Sequence, residues 1–140
     1  MTISKTLAVL SLASLSLSGP AAAAPAAPPI PRGTEIRVNT NTTVSHFLPR
    51  VAVFPDGGFV VVWTDLDGRD GDGKGVYGRA FAANGTPRTG DFRLNTTTAG
   101  DQYAPAIAAA RQGPVVVAWT QQAVEDGRSD VFVRVLSATP

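Results

Sequence analysis

The chain has 140 residues, a formal net charge of +1, one histidine and no cysteine. A charge this close to zero provides no basic field for nucleic acid or an anionic membrane surface, so neither is expected as a partner. The lack of cysteine excludes disulfides and thiolate metal sites, so packing must hold the fold together.

The N-terminal segment has the features of a secretory signal peptide. Lys5 precedes an apolar stretch from Leu7 to Leu17, and a run of small residues ends at Ala24. The apolar stretch is too short to span a bilayer, and the alanine-rich end suits a signal peptidase. We therefore predict a signal peptide at 1–24 and export to the periplasm or the extracellular space. No membrane insertion is expected after the signal peptide is removed.

A linker and one small domain are predicted after the signal peptide. Residues 25–34 are rich in Pro and Ala, which favours extended, unpacked backbone, and we expect this linker to be disordered. Residues 35–140 are long enough for one domain with a modest core.

The predicted domain contains an internal repeat at an offset of 56 residues, which divides it into copies at about 35–90 and 91–140. Repetition at such a period indicates units that bury their apolar faces by stacking on one another. After Trp63 and Trp119 the offset becomes 55, at which Val76 and Arg79 match Val131 and Arg134. The residues that recur at 56 are Arg37, Asn39, Thr40, Thr42, Pro49, Ala52, Gly57, Val60, Val61, Trp63 and Thr64.

Both repeats are predicted to form short β-strands separated by turns, with no helical periodicity. The segment 35–39 resembles 91–95, so a closing strand is expected before the first repeat, as in propellers that are sealed by joining their two termini. The predicted strands are 35–39, 50–54, 59–64, 76–81, 91–95, 106–110, 115–120 and 131–136.

The segments 59–63 and 115–119 are apolar at every position, which is typical of strands buried on both faces. Stacked blades cover a sheet on both faces, so we predict an all-β fold. It comprises two four-stranded antiparallel propeller-like blades, a partial β-propeller, after the signal peptide. Two blades alone leave their outer faces exposed, so a homo-oligomer is expected.

The segments 49–63, 76–85 and 92–102 resemble the roughly fifty-residue propeller-type repeats of large bacterial extracellular proteins. The resemblance implies a propeller-type fold and no catalytic role, and such repeats often stand beside calcium-binding modules. This chain differs in having two copies, and Arg111-Gln112-Gly113-Pro114 replaces the Pro-Asp-Gly-Gly turn of the first copy.

The acidic loop 65–73 is a candidate calcium site. Its carboxylates and glycines suit a hard cation that prefers oxygen ligands. Arg69 and Val76 stand where a calcium loop would have ligands, so a solvated hairpin loop is the alternative. No other cofactor is suggested. The candidate metal ligands are Asp65, Asp67, Asp70 and Asp72.

Tyr77 and Tyr103 are the candidate ligand-binding residues, because a phenol has a polar end that can remain in water. Trp63 and Trp119 are expected to pack inside the fold. His46 is the sole histidine, and no nucleophile motif accompanies it, so the chain is not expected to be an enzyme.

The predicted function is an exported, non-enzymatic binding or surface-interaction module. Carbohydrate binding by an oligomer, at sites between the repeats, is one form of this hypothesis. The alternative is a structural spacer or a truncated fragment of a larger repeat protein. A hydrolase that uses carboxylates such as Asp65 and Asp67 is the third.

Overall fold

The computed structural model of the protein describes residues 30, 33–66, 68–111 and 113–137. Glu35–Pro140 forms one compact unit. The predicted signal peptide at 1–24 and most of the predicted linker lie outside the described residues. The fold that follows belongs to the Glu35–Pro140 unit.

The described part of the chain is all-β and contains no helix, as predicted. No helix long and apolar enough to cross a membrane is therefore found among these residues. The strands are β1 (His46–Val53), β2 (Phe59–Asp65), β3 (Gly75–Phe81), β4 (Phe92–Arg93), β5 (Asp101–Ala109), β6 (Val115–Gln122) and β7 (Ser129–Leu136).

The strands form two antiparallel sheets, and the first includes β4, which lies just past the predicted repeat boundary at residue 90. The first sheet has the order β1-β2-β3-β4, and the second sheet has the order β5-β6-β7. The prediction of four strands is correct for the first sheet. It is wrong for the second, which has three strands within the described residues. The outer strand β7 pairs with β6 there, while the equivalent strand β3 pairs with both β2 and β4.

The strand predicted at 35–39 does not form, although its sequence resembles that of 91–95. A strand forms when its backbone groups meet a neighbouring edge. The segment 91–95 lies beside β3, where Arg93 pairs with Tyr77 and Phe92 with Gly78. The segment 35–39 has no such pairing in the described structure.

β1 and β5 begin at His46 and Asp101, four and five residues earlier than predicted. Each strand contains a bulge that accommodates its proline, which has no N–H to donate to the ladder. The bulges lie at the same repeat position, because Leu48 and Ala104 both adopt a φ of 54°. Pro49 and Pro105 follow them. The prolines therefore mark bulges within the strands and do not mark the strand ends.

The hydrophobic core lies between the two sheets. Val60, Val62 and Val76 of the first sheet belong to one cluster with Val117 and Trp119 of the second. The apolar β2 is buried on this face and largely covered on the other. The equally apolar β6 packs with one face only, since Val116 on its other face is exposed. The prediction that both strands are buried on both faces is therefore wrong for β6.

Gly100 lies in a tight connection between the two sheets, directly before β5. It adopts a φ of +74°, and a Cβ at this position would collide with the carbonyl oxygen of Gln122. Left-handed backbone costs a residue with a side chain about 1–2 kcal/mol, and the collision adds to this cost. We expect Gly100→Ala to lower the free energy of unfolding by at least about 2 kcal/mol in chemical denaturation.

Gly90→Ala is the matched control. Nothing lies within 4 Å of a Cβ built on Gly90. Its stability should stay within about 0.5 kcal/mol of the parent protein. Equal stability of the two variants would contradict the close approach at Gly100.

Candidate functional site

The acidic loop connects β2 to β3, and its first carboxylate turns inward. The side chain of Asp65, at the end of β2, is fully buried. Its Oδ2 lies 3.5 Å from Arg69 Nη1 and 3.4 Å from His46 Nε2. Arg69 Nη1 also lies 3.5 Å from Asp91 Oδ2. Asp65 therefore belongs to a cluster of charged and polar side chains inside the fold.

The side chain of Asp70 enters a buried polar network at the junction of the two repeats. Asn95 Nδ2 donates to Asp70 Oδ2 at 2.7 Å and to Gln102 Oε1 at 2.8 Å. Asn95 Oδ1 accepts the backbone N–H of Val76 at 2.9 Å. Buried polar groups are stable when their hydrogen bonds are made, so this network fixes the loop against the start of the second repeat.

Three more contacts tie the acidic loop and the adjacent Lys74 to the same connection. The backbone N–H of Gly100 donates to Asp72 Oδ2 at 3.1 Å. The ammonium group of Lys74 pairs with the Asp101 carboxylate, and the Lys74 backbone N–H donates to Asp101 Oδ1 at 3.1 Å. The hydrogen bond from Lys74 lowers the pKa of Asp101. The acidic loop thus holds the first repeat against the start of the second, and this structural role is here called the latch.

The described carboxylates of the predicted calcium set do not converge on one point. Asp65 faces Arg69, Asp70 accepts from Asn95, and Asp72 accepts from Gly100. Within the described residues, no group of three or more His, Asp or Glu side chains could hold a metal ion. Asp67 lies outside the described residues. The geometry favours the structural role, and calcium binding stays a prediction.

The two tyrosines occupy different environments. Tyr77 in β3 is 5% exposed, and the Arg69 guanidinium carbon lies 4.2 Å from the centre of its ring. Burial raises the pKa of the Tyr77 phenol, and Arg69 opposes part of this rise. Tyr103 in β5 is half-buried, with Lys74 Nζ 5.5 Å from its ring centre. The expectation of a water-facing phenol is therefore wrong for Tyr77, because the loop folds over it. Ligand binding by either tyrosine stays a prediction.

Trp63 and Trp119 are buried, as their positions in apolar strands indicate. The His46 ring packs against Trp63 in an edge-on arrangement with 6.3 Å between ring centres. His46 pairs with Asp65 across β1 and β2, where the second repeat pairs Gln102 with Gln121. The sole histidine therefore occupies a repeated packing position.

A cavity of about 680 Å³ opens between the two sheets. Its volume is within the range of about 300–1,000 Å³ that is usual for small-molecule pockets. Sequence reasoning could not locate it, because its walls come from strands far apart in the chain. The lining includes Phe54, Arg88, Thr89, Phe92, Arg134 and Leu136.

The outer face of the second sheet exposes a group of valines, here called the valine face. Val116 pairs with Val135 across β6 and β7, which places these two side chains on one face, and the alternation along β7 adds Val131 and Val133. Val131 is 79% exposed, whereas Val76, its counterpart in the first repeat, is fully buried. The same repeat positions are thus buried in the first sheet and exposed to solvent in the second. The valine face comprises Val116, Val131, Val133 and Val135.

Comparisons with protein-family models, curated proteins and solved structures find no match to this chain. Any functional conclusion therefore depends on the geometry of its own residues.

The latch and the calcium hypothesis predict different results for two aspartates. Asp70 is buried and Asp72 is exposed. If the loop is a latch, Asp70→Ala should lower the free energy of unfolding by about 1–3 kcal/mol, because it removes a buried hydrogen bond to a charged group. Asp72→Ala should cost less than about 1 kcal/mol. In thermal unfolding, neither loss of stability should change when calcium or a chelator is added.

A calcium site would give another pattern. Calcium would raise the melting temperature of the parent protein, and both substitutions would remove that increase. This outcome would overturn the latch as the main role of the loop.

Proposed function

We propose that this protein is an exported, non-enzymatic interaction module built from two propeller-type blades, which acts as a homo-oligomer. The observation that carries the proposal is the valine face, together with the edge of β7 beside it. In the first sheet, the face that corresponds to the valine face through the repeat packs against the second sheet. The chain itself therefore carries a surface of the kind that fits the valine face.

Burying the valine face would favour association. Covering one valine side chain is worth roughly 1.5–3 kcal/mol, and the valine face has several. Association costs about 4–15 kcal/mol in lost freedom of the two partners, so burying the whole face is needed to offset it. An exposed strand edge next to an apolar face also invites pairing with another chain.

The test is the mass of the protein in solution with the charge variant Val133→Lys. We expect the parent protein to form an oligomer at micromolar concentration in light scattering. Val133→Lys should raise the dissociation constant at least about 100-fold, because it buries an unpaired ammonium group.

Val124→Lys is the control, because Val124 is equally exposed and lies in the turn between β6 and β7. Its dissociation constant should match that of the parent protein. A parent protein that stays monomeric and folded across this concentration range refutes the proposal.

The cavity between the sheets favours glycan binding as a second candidate function. Phe54 and Phe92 can face the apolar side of a sugar ring, while Arg88 and Thr89 offer polar groups. Such a pocket fits a carbohydrate-binding module with sites between blades. A structural spacer, the alternative, has no use for it.

A glycan array followed by calorimetry tests this second candidate. Arg88→Ala should weaken binding of the best glycan at least about tenfold, since it removes a charged hydrogen-bond donor. Arg128→Ala, whose guanidinium pairs with Asp126 in an exposed turn, should leave the affinity unchanged. An array without signal above background would exclude the glycan function.

A further inference from the structure

We infer that the copies associate head to tail, and that the segment 35–39 of one copy supplies the missing fourth strand of the second sheet of the next. This inference rests on the proposed homo-oligomer and specifies its geometry. It is carried by contacts that the two repeats already make inside one chain.

The two outer faces of the chain match the two halves of its internal interface. The valine face corresponds through the repeat to the face of the first sheet that contains Val60 and Val76, which packs on the second sheet. The outer face of the first sheet contains Val51, which is 59% exposed, and Trp63, which is 3% exposed and has His46 packed against it. Their counterparts in the second sheet are Ile107 and Trp119, which pack against the core between the sheets. Each copy therefore carries both surfaces needed to repeat its own internal packing with a neighbour.

The edge strands of the two sheets also correspond through the repeat. In the first sheet β4 covers β3, where Gly78 pairs with Phe92. In the second sheet the corresponding strand, β7, has a free edge within the described residues, and Phe132 on it is exposed. The repeat offset makes Ile36 the counterpart of Phe92. The segment 35–39 is thus the strand that the β7 edge lacks.

A repeated hydrogen bond shows that this segment is already held in the required place. Arg134 Nη1 donates to the backbone carbonyl of Leu94 at 2.8 Å, which links the second sheet to the residue that follows the last strand of the first. Arg79, the counterpart of Arg134, donates to the carbonyl of Val38 at the same distance. Val38 therefore lies against the first sheet as Leu94 lies against the second.

A second hydrogen bond of Leu94, made by its backbone N–H, identifies the strand edge with which Val38 should pair. The backbone N–H of Leu94 donates to the carbonyl of Val76 at 2.8 Å. The corresponding acceptor for Val38 is the carbonyl of Val131. Val38 lines a pocket with Val61 and Trp63 on the outer face of the first sheet, and Val131 lies on the outer face of the second. These two faces point away from each other, so only a second copy brings the two groups together.

The bulges add a further repeated contact. The backbone N–H of Ala104 donates to Thr64 Oγ1 of the first sheet at 3.2 Å. The counterparts are the N–H of Leu48 in one copy and Thr120 in the next. An interface between different surfaces of identical chains closes into a ring or extends as a filament, depending on the rotation between copies.

Complementation between two charge variants tests the head-to-tail geometry. Val51→Lys blocks the free face of the first sheet, and Val133→Lys blocks the valine face. Each variant alone should be monomeric in light scattering, with a dissociation constant at least about 100-fold above that of the parent protein. A mixture of the two should form a heterodimer that does not grow further, because one intact interface remains. Near-ultraviolet circular dichroism checks that each variant is folded.

The outcomes separate this inference from the proposed function. If Val51→Lys associates like the parent protein while Val133→Lys is monomeric, the valine faces pair with each other and the head-to-tail inference is wrong. If the folded variants stay monomeric when mixed, it is also wrong. If the parent protein itself is monomeric, the proposed function fails together with the inference.

Disulfide trapping tests the register of the added strand, and the absence of native cysteine removes any background. The pairing of Tyr77 with Arg93 predicts that Phe132 of one copy lies opposite Arg37 of the next. A protein that carries both Arg37→Cys and Phe132→Cys should therefore form intermolecular disulfides on mild oxidation, seen as dimers and higher species in non-reducing electrophoresis.

The matched control carries Arg37→Cys with Val133→Cys. These side chains point to opposite faces in this register, because neighbouring residues of a strand alternate. We expect at least about a tenfold lower yield of crosslinked species from the control. Equal yields from the two pairs, or no crosslinking in a protein that is oligomeric by light scattering, would overturn the assignment of the segment 35–39.

Discussion

The fold depends on covering strands that are apolar on both faces. β2 and β6 each carry a run of Val with a terminal Trp, so neither sheet can place one face in water without exposing side chains that belong in a core. Stacking the sheets covers one face of each. The first sheet gains partial cover on its second face from His46, which packs against Trp63, and from Val38, which lines a pocket with Val61 and Trp63. The second sheet has no such cover in the described structure, and its exposed valines result directly from this.

The polar contacts make the stacking specific. The network around Asn95 and the ion pair of Lys74 with Asp101 bind the loop of the first repeat to the beginning of the second. Arg134 joins the sheets on the backbone of Leu94. Apolar packing alone would tolerate several rotations of one sheet on the other, whereas buried hydrogen bonds are satisfied in one arrangement. The acidic loop therefore contributes to the geometry of the fold, although its composition resembles that of a cation site.

Much of the architecture could be predicted from the sequence, since strand patterns and turn residues are local signals. The all-β class and the burial of Trp63 and Trp119 follow from them. The errors came from non-local effects. The predicted strands 50–54 and 106–110 begin too late, because β1 and β5 continue through a bulge on that side, and the strand predicted at 35–39 has no neighbouring edge to pair with. The candidate sites were harder to predict, because Tyr77 is buried by a loop whose path the sequence does not specify.

By itself, the sequence determined that two similar units must stack, because its repeat and its all-apolar strands leave no other way to bury their faces. It also determined that the stack holds without disulfides. Only the tertiary structure decided which face of each sheet meets the other, and hence which valines are left in contact with water. It also decided that Asp70 accepts a hydrogen bond from Asn95. The physical reason is that burial and hydrogen bonding depend on what lies opposite a residue in space, and identical patterns acquire different neighbours in the two repeats.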